Sequence, residues 1–303
     1  MRILCSGGGG YLGSVLVPLL LEAGHAVTVL DTFVHGQPSL LPWRGHPDLE
    51  IIRDDCRQPS ALVRAVRRAD AIIPLAGVVG QAACDRDQTA ARTVNLEAIR
   101  LLLRIRSASQ PVIFPMTQSA YGIGPGEPCT EDSPHSPVSF YGKLKVAAEV
   151  AVLDAENTVS LRLATLFGAS PRMRWDLLVN DFTRRATTDG WLVLFEGRVR
   201  RCVLHVKDAA QAFLWALEDI QRGLPHRVYN VGGENLTKRD LCHRVHAQVP
   251  AFHWVEAEWG RDPDRRDYHV DCSRMLAEGW KPERTVDEGV REVLKACQCS
   301  TRS

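Results

Sequence analysis

The chain lacks an excess of charge of either sign, a long apolar run and any paired cysteine motif, and each absence removes a class of function. Lys and Arg number 37 against 36 Asp and Glu, a net charge of +1. No sequence-wide basic surface is on offer to nucleic acid or membrane, so an anionic ligand must be held by a few local arginines. No apolar stretch approaches the ~18 residues of a membrane span. Met1-Arg2 passes directly into Ile3-Leu4 without the apolar core of a secretory signal, and a cytoplasmic location is expected. The nine cysteines, at 5, 56, 84, 129, 202, 242, 272, 297 and 299, are odd in number, with no Cys-x-x-Cys pair and no histidine at metal-ligand spacing. Neither a metal site nor a disulfide framework is expected. Most of them read as buried small hydrophobes, and Cys297 and Cys299 as part of a frayed polar tail. Repeats and low-complexity segments are absent too.

What is present is a hydrophobic fraction of 45% in 303 residues, ample for one large core or two smaller ones. Short β-branched runs at 2–6, 26–30, 50–53, 71–75, 112–116 and 158–163 read as strands, and 12–23, 59–67, 89–107 and 141–156 as helices. That alternation predicts an α/β fold, a Rossmann-type doubly wound parallel sheet covered on both faces. Pro18 falls inside the first helix, removes one backbone bond and is expected to bend it. After Gly168 the rhythm breaks. We expect residues 1–168 to form the dinucleotide-binding domain, with the chain returning to it at about 203–231 through strands at 203–206 and 228–231. Residues 169–303 then form mainly a smaller substrate-binding lobe, helical from 232 to about 293.

Gly7, Gly10 and Gly13 in Gly7-Gly-Gly-Gly-Tyr-Leu-Gly13 lie between the first strand and the first helix. Such a turn, with Tyr11 and Leu12 in it, lets backbone approach a pyrophosphate at a helix N-terminus and packs helix on strand closely. Asp31, 18 residues after Gly13, ends the second strand where a carboxylate accepts from an adenosine ribose and repels a 2′-phosphate. The expected cofactor is NAD. Asp54-Asp55 either caps the next segment or contacts adenine; Asp55, with Cys56 beside it, is preferred for adenine. Leu75, Ala76 and Gly77 end the fourth strand with residues that suit backbone passing under the cofactor. Asn95, polar within an apolar helix, needs partners and is expected to brace the active-site strand or a water there.

Tyr141 and Lys145 are four apart on a helix and so share a face. A phenol of pKa about 10 needs ~3 units, or ~4 kcal/mol, of anion stabilisation to act as a base near neutrality. One ammonium at ~4 Å with an effective dielectric near 20 supplies about that. The pair can thus take a hydroxyl proton while hydride leaves the same carbon, and Lys145 can also bind the nicotinamide ribose. Thr117 follows the fifth strand at its C-terminal end, where ligands bind in such sheets, and its hydroxyl can bond the reacting oxygen.

With these residues assembled, the chain resembles the extended short-chain dehydrogenase/reductase family of nucleotide-sugar enzymes over nearly its whole length. The resemblance is carried by Gly7 to Gly13, Asp31, Thr117-Gln-Ser-Ala-Tyr-Gly122, Tyr141 to Lys145, Arg201-Cys-Val-Leu-His205-Val-Lys-Asp208 and Tyr229-Asn-Val-Gly-Gly233. Within the family, segments 73–80, 170–182, 193–196 and 262–268 look most like GDP-heptose C4 dehydrogenases of bacterial polysaccharide pathways. The resemblance implies that Arg201 and one of Arg265 and Arg266 hold the nucleotide diphosphate. It places Arg172, Arg174 and Asn180 nearer the sugar or phosphates, with Gly80 and Ser119 also at the substrate. It also implies a homodimer through the helices at 89–107 and 141–156.

Departures from the family narrow the chemistry. The family's dehydratases carry an Asp-Glu pair directly after the threonine, where this chain has Gln118 and Ser119. The 3,5-epimerase/reductases have a cysteine where Ser119 stands. What remains is hydride chemistry at one carbinol, C4 of a nucleotide-linked sugar, ending either in a released ketone or in an inverted alcohol. A cofactor-binding sensor without turnover is the remaining alternative, and the intact Tyr-Lys pair argues against it.

Overall fold

Apolar runs too short for helices become strands, and the stretches between them bury one face each. The computed structural model describes residues 1–124, 126–220, 223, 227–257 and 266–300. Its first half runs β1 (Arg2–Ser6), α1 (Gly13–Glu22), β2 (Ala26–Asp31), β3 (Leu49–Arg53), α2 (Pro59–Val66) and β4 (Ala71–Pro74). Then come α3 (Gln81–Arg86), α4 (Gln88–Arg92), a π-helical turn (Thr93–Glu97), α5 (Ala98–Ile105), β5 (Val112–Thr117), a 3₁₀ turn (Gln118–Tyr121), α6 (Phe140–Leu153) and β6 (Thr158–Leu163). The second half runs β7 (Thr165–Phe167), α7 (Leu178–Thr188), β8 (Trp191–Leu194), β9 (Arg200–His205), α8 (Val206–Asp219) and β10 (Val228–Val231). It ends with β11 (Glu234–Thr237), α9 (Lys238–Gln248), β12 (His253–Glu256), α10 (Ser273–Ala277) and α11 (Val286–Ser300).

Seven strands form one parallel sheet in the order β10-β6-β5-β4-β1-β2-β3. The expected doubly wound α/β fold is present, and β6 is buried at every residue, as a central strand covered on both faces must be. From β1 the chain winds outward through β2 and β3, then returns to the other side of β1 with β4. The crevice of such a sheet opens at that reversal, between β1 and β4, and the glycine turn sits there. On one face, Leu16, Val17 and Leu20 of α1 share a core with Ala209, Phe213 and Ala216 of α8; on the other lie α2, α5 and α6.

A second lobe carries its own core, with Phe167, Val179, Leu192, Val203, Leu241, Val245, Phe252 and Val290 buried together. Its frame is a three-stranded sheet, β11-β9-β7, and a parallel pair, β12-β8. Here the structure corrects the sequence reading. The strand expected at 203–206 is β9, and it pairs with β7 and β11 instead of rejoining the large sheet; among the later strands only β10 does that, beside β6. Residues 232–293 include β11 and β12 as well as helices. The C-terminal stretch is not frayed: α11 continues to Ser300 and Cys297 is buried in it, because its apolar side packs against the second lobe. The helix expected over 89–107 is interrupted by the π turn. Among the described residues, no helix is long and apolar enough to cross a membrane and no cluster of side chains could hold a metal ion.

Candidate active site

The glycine turn is shaped by contacts that exclude side chains. Gly7 has φ +76, and a Cβ there would lie 2.4 Å from the Ala76 nitrogen; one on Gly13 would lie 2.6 Å from the Gly7 oxygen. The turn is thus pressed between β4's exit and α1, and the Gly10 N–H closes it by donating to Gly7 O at 3.0 Å. At the end of β2, Asp31 accepts from the Gly9 N–H at 2.9 Å and from the Phe33 N–H at 2.7 Å. Its carboxylate therefore lies against the glycine turn, where an adenosine ribose would meet it. A cradle closed to a Cβ at Gly7 and Gly13, ending at a helix N-terminus with a carboxylate alongside, fits a dinucleotide and disfavours a 2′-phosphate.

Other residues read for the cofactor have internal duties. The Tyr11 hydroxyl donates to Gly168 O at 2.7 Å and accepts from Asn180 Nδ2 at 3.2 Å, so its ring ties the glycine turn to the second lobe, leaving backbone to face a ligand beside Leu12. Asp55 is gripped by Arg57, whose Nη2 is 2.6 Å from it, and this pairing holds its carboxyl below the usual range. The side chain is thus engaged by a neighbour. Cys56 packs against the core under α2, and burial pushes its thiol up to about 12. Asn95 clamps the exit of β4: its Oδ1 accepts from Val78 N and its Nδ2 donates to Val78 O, both at 2.8 Å. That fixes the loop after Leu75, Ala76 and Gly77, where a brace on the active-site strand or on a water there was expected; Asn95 itself lies within the π turn. Such turns recur at functional sites.

Thr117 ends β5, its Oγ1 2.8 Å from Ser119 Oγ, and α6 begins against the backbone of the turn that follows: a Cβ on Gly142 would lie 3.6 Å from the Ser119 carbonyl oxygen. Ser139 caps α6 by accepting from the Gly142 N–H at 3.0 Å, which sets Tyr141 in the helix's first turn. Burial pushes the Tyr141 phenol up to about 12, against the pull of Arg174 and Arg266. The sequence reading expected Lys145 to supply that pull. Instead, the Lys145 Nζ lies 4.0 Å above the Phe114 ring, and burial drives the ammonium down to about 7 with Glu149 opposing. The cations whose fields reach the phenol come from the second lobe.

Arg174 is braced by Asp176 at 2.8 and 2.5 Å, and a Cβ on Gly80 would lie 3.8 Å from its Nη2. Gly80, Arg174, Arg266 and Tyr141 thus gather in one cleft. Arg172 belongs nearer the cofactor end, where its charge and burial lower His35 and it feels Asp31. Asn180 is wholly buried, accepting from Gly168 N at 3.0 Å and donating to Arg174 O at 3.0 Å; it holds the cleft's frame. Arg201 is buried beside the Tyr268 ring, its Nη1 donating to Arg200 O at 3.0 Å. Arg265 lies outside the described residues. Two features escaped the sequence reading, the buried Cys84 thiol, which donates to Val78 O at 3.2 Å beside the Asn95 clamp, and Glu149, one helical turn from Lys145. Cys84 gave no signal apart from its neighbours, and Glu149 only its spacing of four from Lys145.

Residues 3–232 match the model of the NAD dependent epimerase/dehydratase family. The chain belongs to that family. Among curated members of the epimerase/dehydratase family, it is 26% identical to the UDP-glucose 4-epimerase of Corynebacterium glutamicum, over 94% of this chain and 92% of that one. It is 27% identical to the low-salt glycan biosynthesis protein Agl12 of Haloferax volcanii, covering 98% and 97%. Among solved structures, the UDP-glucose 4-epimerase of Thermus thermophilus in complex with NAD superposes with a TM-score of 0.85 at 25% identity, covering 99% of this chain and all of that one. The UDP-glucuronic acid 4-epimerase of Bacillus cereus shares the fold with a TM-score of 0.85 at 20% identity, over 99% of each chain.

Proposed function

We propose that this chain is an NAD-dependent oxidoreductase that removes hydride from C4 of a nucleotide-linked sugar, with Thr117, Tyr141 and Lys145 as the reacting group. The observation that carries this reading is the hydroxyl pair Thr117–Ser119 at the end of β5, in a place where elimination of water would need carboxylates. Bound across the glycine turn, NAD supplies the hydride acceptor. Tyr141 takes the C4 hydroxyl proton at its phenol oxygen, Thr117 orients that hydroxyl, and Lys145 carries positive charge to the nicotinamide ribose. Because burial alone holds the phenol protonated, proton loss depends on positive charge in the cleft, to which Arg174 and Arg266 contribute. Arginine forks also suit the diphosphate of the sugar nucleotide.

Within that chemistry, release of the 4-ketone from a GDP-heptose is the reading favoured by the resemblance of segments 73–80, 170–182, 193–196 and 262–268. The 4-epimerases among the relatives favour the second reading, in which hydride returns to the other face of the sugar. Incubation with GDP- and UDP-linked heptoses and hexoses, followed by product analysis, separates the two: a ketone for the first, a C4-inverted alcohol for the second. Tyr141→Phe should lower either rate by about 10²-fold or more, and an unchanged rate rejects the assignment. A homodimer through α4, α5 and α6 belongs to the same reading. Val150 is exposed on α6, and Val150→Asp should turn a sedimenting dimer into a monomer; equal masses for both proteins would refute that surface.

A further inference from the structure

Below the reacting pair, α6 carries a buried carboxylate that the proposed chemistry leaves unused. Glu149 follows Lys145 by four residues, so the two stand one turn apart on one helix face. Both are nearly inaccessible, at 1% and 9% exposure. Glu149 Oε1 accepts from Ser160 Oγ at 2.5 Å and Arg162 Nε at 3.0 Å; Oε2 accepts from Arg162 Nη2 at 3.1 Å. His135 Nε2 stands 3.5 Å from the same carboxylate. Arg162 in turn donates through Nη1 to the Tyr121 hydroxyl at 3.0 Å and to Glu131 O at 2.8 Å. The carboxylate is therefore fixed in place by β6 and by the loop before α6, one helical turn from Lys145.

We propose that Glu149 is a positioning residue for the reaction: locked by Ser160 and Arg162, it keeps the ammonium of Lys145 charged. This rests on the reading of Tyr141 and Lys145 as the reacting pair. Lys145 has the Phe114 ring against its Nζ, and the field opposing its loss of a proton is that of Glu149. An aromatic face and low dielectric alone hold a lysine's charge poorly. The other titratable groups around the carboxylate leave its sign intact. His135 is kept from protonating by burial and by Arg162, and Tyr121 is pushed up to about 12 by burial, so both face Glu149 neutral. Arg162 is the one cation of the clamp, and it sits on the strand side while Lys145 lies along the helix. A mere staple between α6 and β6 could be apolar at little cost; a charge-setting group has to be an acid.

The chain has six lysines, so ¹³C-lysine labelling gives a readable set of ε-carbon resonances without any substrate, and Lys145→Met identifies the one of interest. In the full-length protein, Glu149→Gln should lower the proton affinity of Lys145 at least tenfold, moving its titration midpoint down by a pH unit. An unmoved midpoint in a folded variant overturns the inference. If Glu149→Gln does not fold because Arg162 loses its partner, the doubly neutral Glu149→Gln/Arg162→Gln serves, with the same direction expected and the same result overturning it. The parent reading is tested separately by Tyr141→Phe and Lys145→Met, using reduction of NAD by UDP-glucose and by GDP-linked sugars as probes. Full rates in those variants would reject the reacting pair while leaving the titration result standing.

Discussion

At the scale of residues, the glycine turn shows how one missing carbon shapes a site. Gly7 combines a left-handed backbone with a neighbour that admits no Cβ, while Gly24 at the end of α1 has φ +81 with nothing within 4 Å of its notional Cβ. The two positions separate backbone cost from steric cost. Gly24→Ala should lose only the ~1–2 kcal/mol of an alanine forced left-handed and leave NAD titration unchanged. Gly7→Ala should lose more in thermal denaturation and weaken NAD at least tenfold, since Ala76 must retreat from under the cofactor. Equal NAD affinities in the two variants would show that the cradle at Gly7 does not carry the dinucleotide. Tyr141 teaches a related lesson. Its motif was legible, but the source of its stabilising charge was not. A spacing of four puts Lys145 on the same helix face without saying where a flexible four-carbon stem ends, and here it ends over Phe114.

Among elements, legibility followed burial. The strands at 2–6 and 158–163 stand where the sequence puts them, because continuous apolar runs in a sheet covered on both sides admit few other readings. The helix at 89–107 was read as unbroken, since every residue of Thr93-Val-Asn-Leu-Glu97 is compatible with a regular helix. The π turn follows from a tertiary demand, the clamp of Asn95 on both polar groups of Val78, which no local pattern encodes. The second lobe was hardest to read. β8, β11 and β12 have four residues each, of which two, one and none are buried, and β9 looks like a strand of the large sheet until its partner β11 is known. The glycines, Asp31, Thr117 and Tyr141 could be singled out as candidates because each lies at a strand end or helix start, and Lys145 because it follows Tyr141 by one helical turn. Asn180 and Tyr11 were read as ligand groups, yet spend their polar atoms on each other and on Gly168, joining the two lobes.

For the whole molecule, that junction is also where acidity should act. His205 ends β9 with its side chain wholly buried, edge-on to Phe167 at 5.3 Å between centroids, with Gly168 and Gly289 closing around it. Its Nδ1 accepts from the Lys207 N–H at 3.2 Å, and its Nε2 faces Glu292 Oε2 at 3.1 Å. The neutral ring with hydrogen on Nε2 satisfies both contacts, whereas a second proton on Nδ1 would confront the Lys207 donor. Burial and that geometry lower the ring's pKa from its ordinary 6.5 despite Glu292. Glu292 is itself lowered, because Lys207 at 2.8 Å and His205 outweigh the cost of its burial. A histidine lowered by folding binds its proton more readily in the unfolded chain, so stability is intact above about pH 6.5 and declines as pH falls below it. The carboxylate's share is lost at still lower pH, in the same direction. Melting temperatures between pH 7.5 and 5.5 should therefore fall, by roughly 2–4 °C for each kcal/mol lost. His205→Gln, which keeps a donor and an acceptor without a titrating ring, should flatten that slope while melting lower at pH 7.5. A slope as steep in the variant as in the parent chain would move the sensitivity to His25, His35 or His135, the other rings lowered by burial, and away from the junction of the lobes.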